Sequence, residues 1–147
     1  MQMFHFGGTH LRVAQFGPRK GQTVEAADFA LHIQCAWRVR GPSGIVTGSA
    51  DLGYRSGPEP YGDGSDWDYS VPGASRRDER IREWLDGRTY KVDHIAADVL
   101  GGFVVHLERG FTLDVFPDSS VTDEPSEFWR LLRPDSHFVV SGSGISD

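Results

Sequence analysis

Residues 28–40, DFALHIQCAWRVR, constrain the fold more than any other stretch. Phe29, Leu31, Ile33, Cys35, Trp37 and Val39 alternate with Ala30, His32, Gln34, Ala36, Arg38 and Arg40. Successive side chains of an extended chain point to opposite sides, so one set can enter a core while the other stays wet. A helix would scatter the same residues around its circumference. The stretch therefore predicts one long strand of an antiparallel sheet, buried on a single face.

The flanking segments fit the same architecture. A strand is expected over 3–6, a break at Gly7 and Gly8, and a second run over 11–16, followed by the polar turn GPRKGQ at 17–22. Gly41, Pro42, Ser43 and Gly44 make a hairpin connector, from which 45–52 returns antiparallel. Residues 53–74 lose all periodicity and become rich in Gly, Pro, Ser, Asp and aromatic residues. Loops of about 20 residues inside a compact domain are uncommon and tend to be functional or disordered.

A helix is predicted over 75–85. Ser75 can accept the unpaired amides of the first turn, Asp78 lies near the N-terminal end, and Ile81, Trp84 and Leu85 share one face. Gly87 supplies the stop. Asp78 and Glu79 are spaced to pair with Arg82. Beyond the helix, strands are expected over 90–100, where the inward face is ambiguous, and over 103–107, 111–115, 128–133 and 137–141. Residues 127–132 fit one helical turn equally well. The fold class is α+β: two sheet-forming blocks, mainly antiparallel and separated by the loop and helix, with one amphipathic helix covering a sheet face. A partly closed barrel is the alternative arrangement.

The chain of 147 residues has the length of one domain, since most domains run to roughly 100–150 residues. Its formal charge of −6 argues against a nucleic-acid binder, which needs a positive face to displace counterions from phosphates. With one cysteine, Cys35, no internal disulfide can form, and its place on an apolar strand face fits a buried, inert thiol. The first residues lack a basic segment followed by an apolar one, and no apolar run approaches the roughly 20 residues that cross a bilayer. A cytoplasmic chain without membrane contact is the expectation.

No motif of high specificity for catalysis or cofactors occurs: HExxH, CxxC, G-x-S-x-G, the P-loop and G-x-G-x-x-G are all missing, so no metal and no cofactor is assigned. His94 and Asp98 share a strand side but lie ~13 Å apart at strand rise, too far for one ion. Asp63, Asp66 and Asp68 lack the spacing of a calcium loop. Alternation does place His32, Gln34, Arg38, His106 and Asp114 on the polar sides of their strands, where they would line one surface if the strands are neighbours. An ordinary wet sheet face explains the same pattern. Arg76 and Arg80 of the helix, beside Tyr54, Tyr61, Trp67 and Tyr69 of the long loop, have the composition of a binding hot spot. Packing of those rings over the sheet end explains them as well.

The motifs L-H-x-Q-C-x-W-R at 31–38, D-x-x-G-G followed by L-x-V-F-P-D over 98–118, and E-x-W-R at 127–130 resemble a family of small bacterial proteins of unknown function. In size, acidity and strand content the chain is also similar in style to immunity proteins of bacterial toxin systems. The reading that follows is a non-enzymatic module that binds another protein through the loop aromatics and helix arginines. The alternative is a small-ligand binder or enzyme on the His/Arg/Asp face. A third is self-association of two chains through an open sheet edge or an exposed Trp surface.

Overall fold

The computed structural model describes residues 1–14, 18–59, 67–123, 126–134 and 136–146. It is α+β and mainly antiparallel. Among the described residues, ten strands form two open five-stranded sheets, with one α-helix and no closed barrel. Contacts divide the chain into two units, Met1–Gln34 with Ser119–Asp147, and Cys35–Asp118. The blocks therefore do not follow chain order as expected: the first sheet joins the two ends of the chain, and the second is made from its middle.

In the first unit, β1 (Gln2–Val13), β2 (Thr23–Ile33), β8 (Glu127–Leu132), β9 (His137–Ser141) and β10 (Gly144–Ser146) lie in that order. The two short runs expected in the N-terminal segment are one strand carrying a bulge between Phe6 and Thr9. Gly7 sits there at φ +83°, and a Cβ on it would lie 2.7 Å from Asp28 Oδ2. That carboxylate accepts the Gly8 amide at 2.8 Å, so the glycine pair makes a bulge that closes onto Asp28. Cross-strand rows build the core: Phe4 opposite Leu31, Leu31 opposite Leu131, and Leu131 opposite Phe138. Leu31, Ile33, Phe128 and Val140 are buried, each removed from water at a gain of roughly 1.5–3 kcal/mol. Phe29 shares that face yet remains 41% exposed. The reason is register: β8 pairs with β2 only from Ala30 to Ile33, leaving Phe29 on a two-stranded arm. Residues 127–132 are strand, not helical turn, and β10 has no periodic signal in its three residues.

The second unit has the order β4 (Gly44–Gly48), β3 (Ala36–Gly41), β7 (Phe111–Phe116), β6 (Phe103–Leu107), β5 (Val92–Ala97). The predicted strand 28–40 is thus two strands in two sheets. Its alternation continues unbroken, but Gln34 donates its amide to the Phe128 carbonyl in the first unit, and β3 begins two residues later. Trp37 opposite Val115, Val39 opposite Leu113, and Val105 opposite Leu113 make the buried face. The return strand stops at Gly48, where Ser49–Gly53 coil into a 3₁₀ turn fixed by Asp51, which accepts the Gly48 amide and the Thr47 hydroxyl. The ambiguous 90–100 segment is resolved as an edge strand with all six residues of β5 exposed. Asp98 instead serves the following turn, accepting the amides of Leu100 and Gly102.

Helix α1 (Arg76–Leu85) forms where its signals predict. Ser75, fully buried, accepts the Asp78 amide at 3.2 Å, and Asp86 ends the helix in the left-handed region. The expected pairs with Arg82 are not made. Asp78 binds Arg77 and the Gly73 amide, while Glu79 accepts the Gly57 amide and so ties the loop to the helix. Trp84, 9% exposed, anchors the helix on Tyr90 and on Phe111 of the sheet, with ring centroids 5.0 Å and 6.0 Å away.

Candidate functional site

The site begins with a packing necessity. A ten-residue helix with a narrow apolar stripe of Ile81, Trp84 and Leu85 must cover something, and α1 covers the end of the second unit's sheet with Trp84 against Phe111. The 41–46 hairpin turn stands beside it, and between turn and helix lies an open groove of about 610 Å³. Trp84, Tyr90 and Phe111 contribute the aromatic surface, with Tyr90 meeting Phe111 edge-on at 5.2 Å. Arg76, Arg80, Arg88 and Glu83 line it from the helix and just beyond, Asp51 from the 3₁₀ turn.

Hydrogen bonding in the groove is incomplete. The Tyr90 hydroxyl donates to the Trp84 carbonyl at 3.1 Å, but the Trp84 indole N–H, fully buried, has no partner among the described residues. Buried donors are nearly always paired, and an unpaired one costs about 1–3 kcal/mol. The arginines are little constrained. Arg80 meets Glu83 at 2.9 Å and Arg88 meets Asp86 at 3.6 Å, both in exposed pairs worth only ~0.2–1 kcal/mol. Arg76 has no ion-pair partner among the described residues. Three guanidinium groups around aromatic surface suit a ligand that carries both carboxylates and apolar groups.

The residues expected at a partner surface divide around this groove. Arg76 and Arg80 line it. Tyr54 is half-buried and accepts the Arg76 amide on its carbonyl, so it braces the start of the helix. Trp67 is half-buried and Tyr69 is 62% exposed, and neither lines the groove. Tyr61 lies outside the described residues, as do Asp63 and Asp66. Sequence reasoning passed over Trp84, Tyr90 and Phe111 as site residues, because apolar periodicity assigns the first and third to the core.

The five residues expected on one polar surface fall into both units. His32 and Gln34 belong to the first. His32 stands opposite Arg130; burial first, and then that guanidinium, hold its imidazole below the ordinary range. Burial would push the Glu127 carboxyl up, but hydrogen bonds from Arg130 and Gln34 outweigh it and the net shift is downward. Arg38, Asp114 and His106 belong to the second unit and share one sheet face. Asp114 is 5% exposed and accepts four bonds: Arg38 Nε at 2.8 Å, Arg40 Nε at 2.6 Å, Arg40 Nη2 at 3.0 Å and Thr112 Oγ1 at 2.9 Å. Arg40 had a readable signal, being two residues from Arg38 on the same strand face.

Among the described residues no cluster of three or more His, Cys, Asp or Glu is placed to hold a metal ion, and no helix is long and apolar enough to cross a membrane. Comparisons with protein-family models, with curated proteins and with solved structures find no match.

Proposed function

We propose that this chain is a non-enzymatic protein-binding module whose second unit seats an acidic segment of a partner protein in the groove between α1 and the 41–46 turn. The observation that supports it is the arginine-lined groove itself, in which Arg76 has no ion-pair partner among the described residues and the aromatic rings of Trp84, Tyr90 and Phe111 form the floor. Carboxylates of the partner would meet Arg76, Arg80 and Arg88 at the rim, and an apolar side chain between them would cover Trp84, Tyr90 and Phe111. A toxin with such an acidic segment, neutralised by this chain, is the partner that the similarity in style to immunity proteins implies.

The test is selection of phage-displayed random peptides on the immobilised chain, with an R76E/R80E variant as counter-target and circular dichroism to confirm that the variant folds. The expected pool is rich in Asp and Glu and binds the wild type at least about tenfold more tightly than the variant. Reversing two rim charges exchanges two attractions for two repulsions of ~0.2–1 kcal/mol each, enough for that factor of about 1.4 kcal/mol. A neutral or basic pool, or one that binds both proteins equally, overturns the proposal.

A further inference from the structure

The polar face of the second unit's sheet, remote in role from the groove, carries a second constellation. Three registers place four side chains in one row: Arg40 opposite Thr112, Thr112 opposite His106, and His106 opposite His94. Directly opposed residues of antiparallel strands project to the same side, with Cβ atoms about 4.5–5.5 Å apart. Arg38 and Asp114 form the adjacent row, one step along β3 and β7.

Two features make this more than a wet sheet face. The first is that the guanidinium groups are held in place. Asp114, buried in the sheet, takes Nε of both arginines and Nη2 of Arg40, while the Arg38 guanidinium also lies 5.7 Å from the centroid of the Phe116 ring. Both Nη atoms of Arg38 and Nη1 of Arg40 are left without a hydrogen-bond partner among the described residues. The Thr112 hydroxyl is spent on Asp114, so it fixes the carboxylate and offers no donor outward. Locking a charged side chain by a buried partner removes most of the ordering cost of binding through its remaining donors.

The second feature is the histidine pair. The rings of His94 and His106 stack at 4.0 Å with 10° between their planes, and no ring nitrogen of either has a hydrogen-bond partner among the described residues. The two arginines and one aspartate sum to a local charge of +1 (2 − 1), against −6 for the whole chain. Fixed guanidinium donors and two adjacent imidazole donors suit a compact, multiply charged oxyanion with several oxygens better than a single carboxylate.

We propose that the Arg38–Arg40–His106–His94 face is a binding site for a phosphate monoester, with Asp114 as the residue that positions both arginines. It uses none of the groove residues, so either proposal can fail without the other.

The experiment is NMR titration of the full chain, observing backbone amides and histidine Cε1–H signals, with inorganic phosphate, with O-phosphoserine and with a neutral phosphoserine peptide, against chloride at matched ionic strength. Saturable shifts concentrated at 38, 40, 94 and 106 are expected. An H94Q/H106Q variant should weaken binding at least about tenfold while its remaining spectrum stays native, since His94 is exposed on an edge strand and His106 half-buried. An R40K variant, which keeps the charge and loses the fork, provides a second measure and should weaken binding several-fold. Binding by the free small phosphates assigns a metabolite-like ligand; binding by the peptide alone assigns a phosphorylated protein, and both uphold the site. Shifts that chloride reproduces, or saturation unchanged in H94Q/H106Q, overturn it.

Discussion

Replacing Asp114 by Asn tests whether the second unit's polar face is held by charge or by shape. The substitution keeps the volume and one acceptor but removes the charge, and it turns an NH₂ group toward donors. Three of the four bonds to Asp114 come from guanidinium groups. Making such a bond neutral costs about 1 kcal/mol when it is well shielded. Here the arginine side chains are 44% and 45% exposed, so water replaces much of what is lost and each bond falls toward the ~0.2–1 kcal/mol of surface pairs. The expected destabilisation at pH 7 is therefore about 2 kcal/mol. Its pH dependence carries the argument. Burial pushes the Asp114 carboxyl up, but hydrogen bonds from Arg40, Arg38 and Thr112 prevail and hold it below the usual carboxylate range. A depressed folded pKa means that the stabilisation is complete above the unfolded value of about 3.9 and is lost as pH falls through the lower folded one. Glu127 shifts in the same direction but is present in both proteins and cancels from the difference. Urea unfolding followed by tryptophan fluorescence at pH 7, 5 and 3 should show a gap of about 2 kcal/mol that narrows to under ~1 kcal/mol at the acid end. A gap as wide at pH 3 as at pH 7 would mean that the amide disturbs packing and that charge is not what holds the face. No gap at pH 7 would remove the positioning role of Asp114 altogether.

Two further outcomes follow from local chemistry. Ser75→Ala removes the side chain that accepts the Asp78 amide at the start of α1, and should cost about 1 kcal/mol in urea unfolding; an unchanged midpoint would show that the cap is not used. Burial first, and then the nearby Asp118 carboxylate, push the Cys35 thiol from 9.0 up to about 11, so at pH 8 its thiolate fraction is roughly a hundredfold smaller than in the unfolded chain. Labelling by a disulfide reagent should be slower in the native protein by about that factor, and rates within a few-fold of the urea-unfolded protein would contradict it.

Local periodicity made most strands and the helix legible, because parity and capping depend on residues near one another in sequence. The passage from Ile33 to Ala36 was not legible for the same reason. Alternation is a property of extended chain, and it is identical whether the next residue continues in one sheet or starts another. Leu31 and Ile33 are buried against β8, whereas Trp37 and Val39 are buried against β7. Nothing in DFALHIQCAWRVR states which partner each half takes. The decisive event is the Gln34 amide bonding to the Phe128 carbonyl, a contact with a residue far along the chain. The exposure of Phe29 has the same origin: its parity is right, but its partner strand ends too soon.

The two candidate sites differ in how far sequence could reach them. Arg38, His106 and Asp114 sit on the polar parity of three strands, and parity survives into the fold, so their common face could be anticipated once those strands proved to be neighbours. The groove could not, because Trp84 and Phe111 satisfy every rule for core residues. What distinguishes Trp84 from an ordinary core residue is chemical. Phenylalanine would offer nearly the same ring to Tyr90 and Phe111 without an N–H to satisfy. An indole whose donor stays buried and unpaired costs the fold about 1–3 kcal/mol, and packing alone gives no reason to keep it. That cost falls on a residue that lines the groove together with Arg76, which has no ion-pair partner among the described residues. The indole N–H is itself buried, so the groups an incoming carboxylate would meet are the guanidinium groups, and they link the groove to recognition more firmly than its size does.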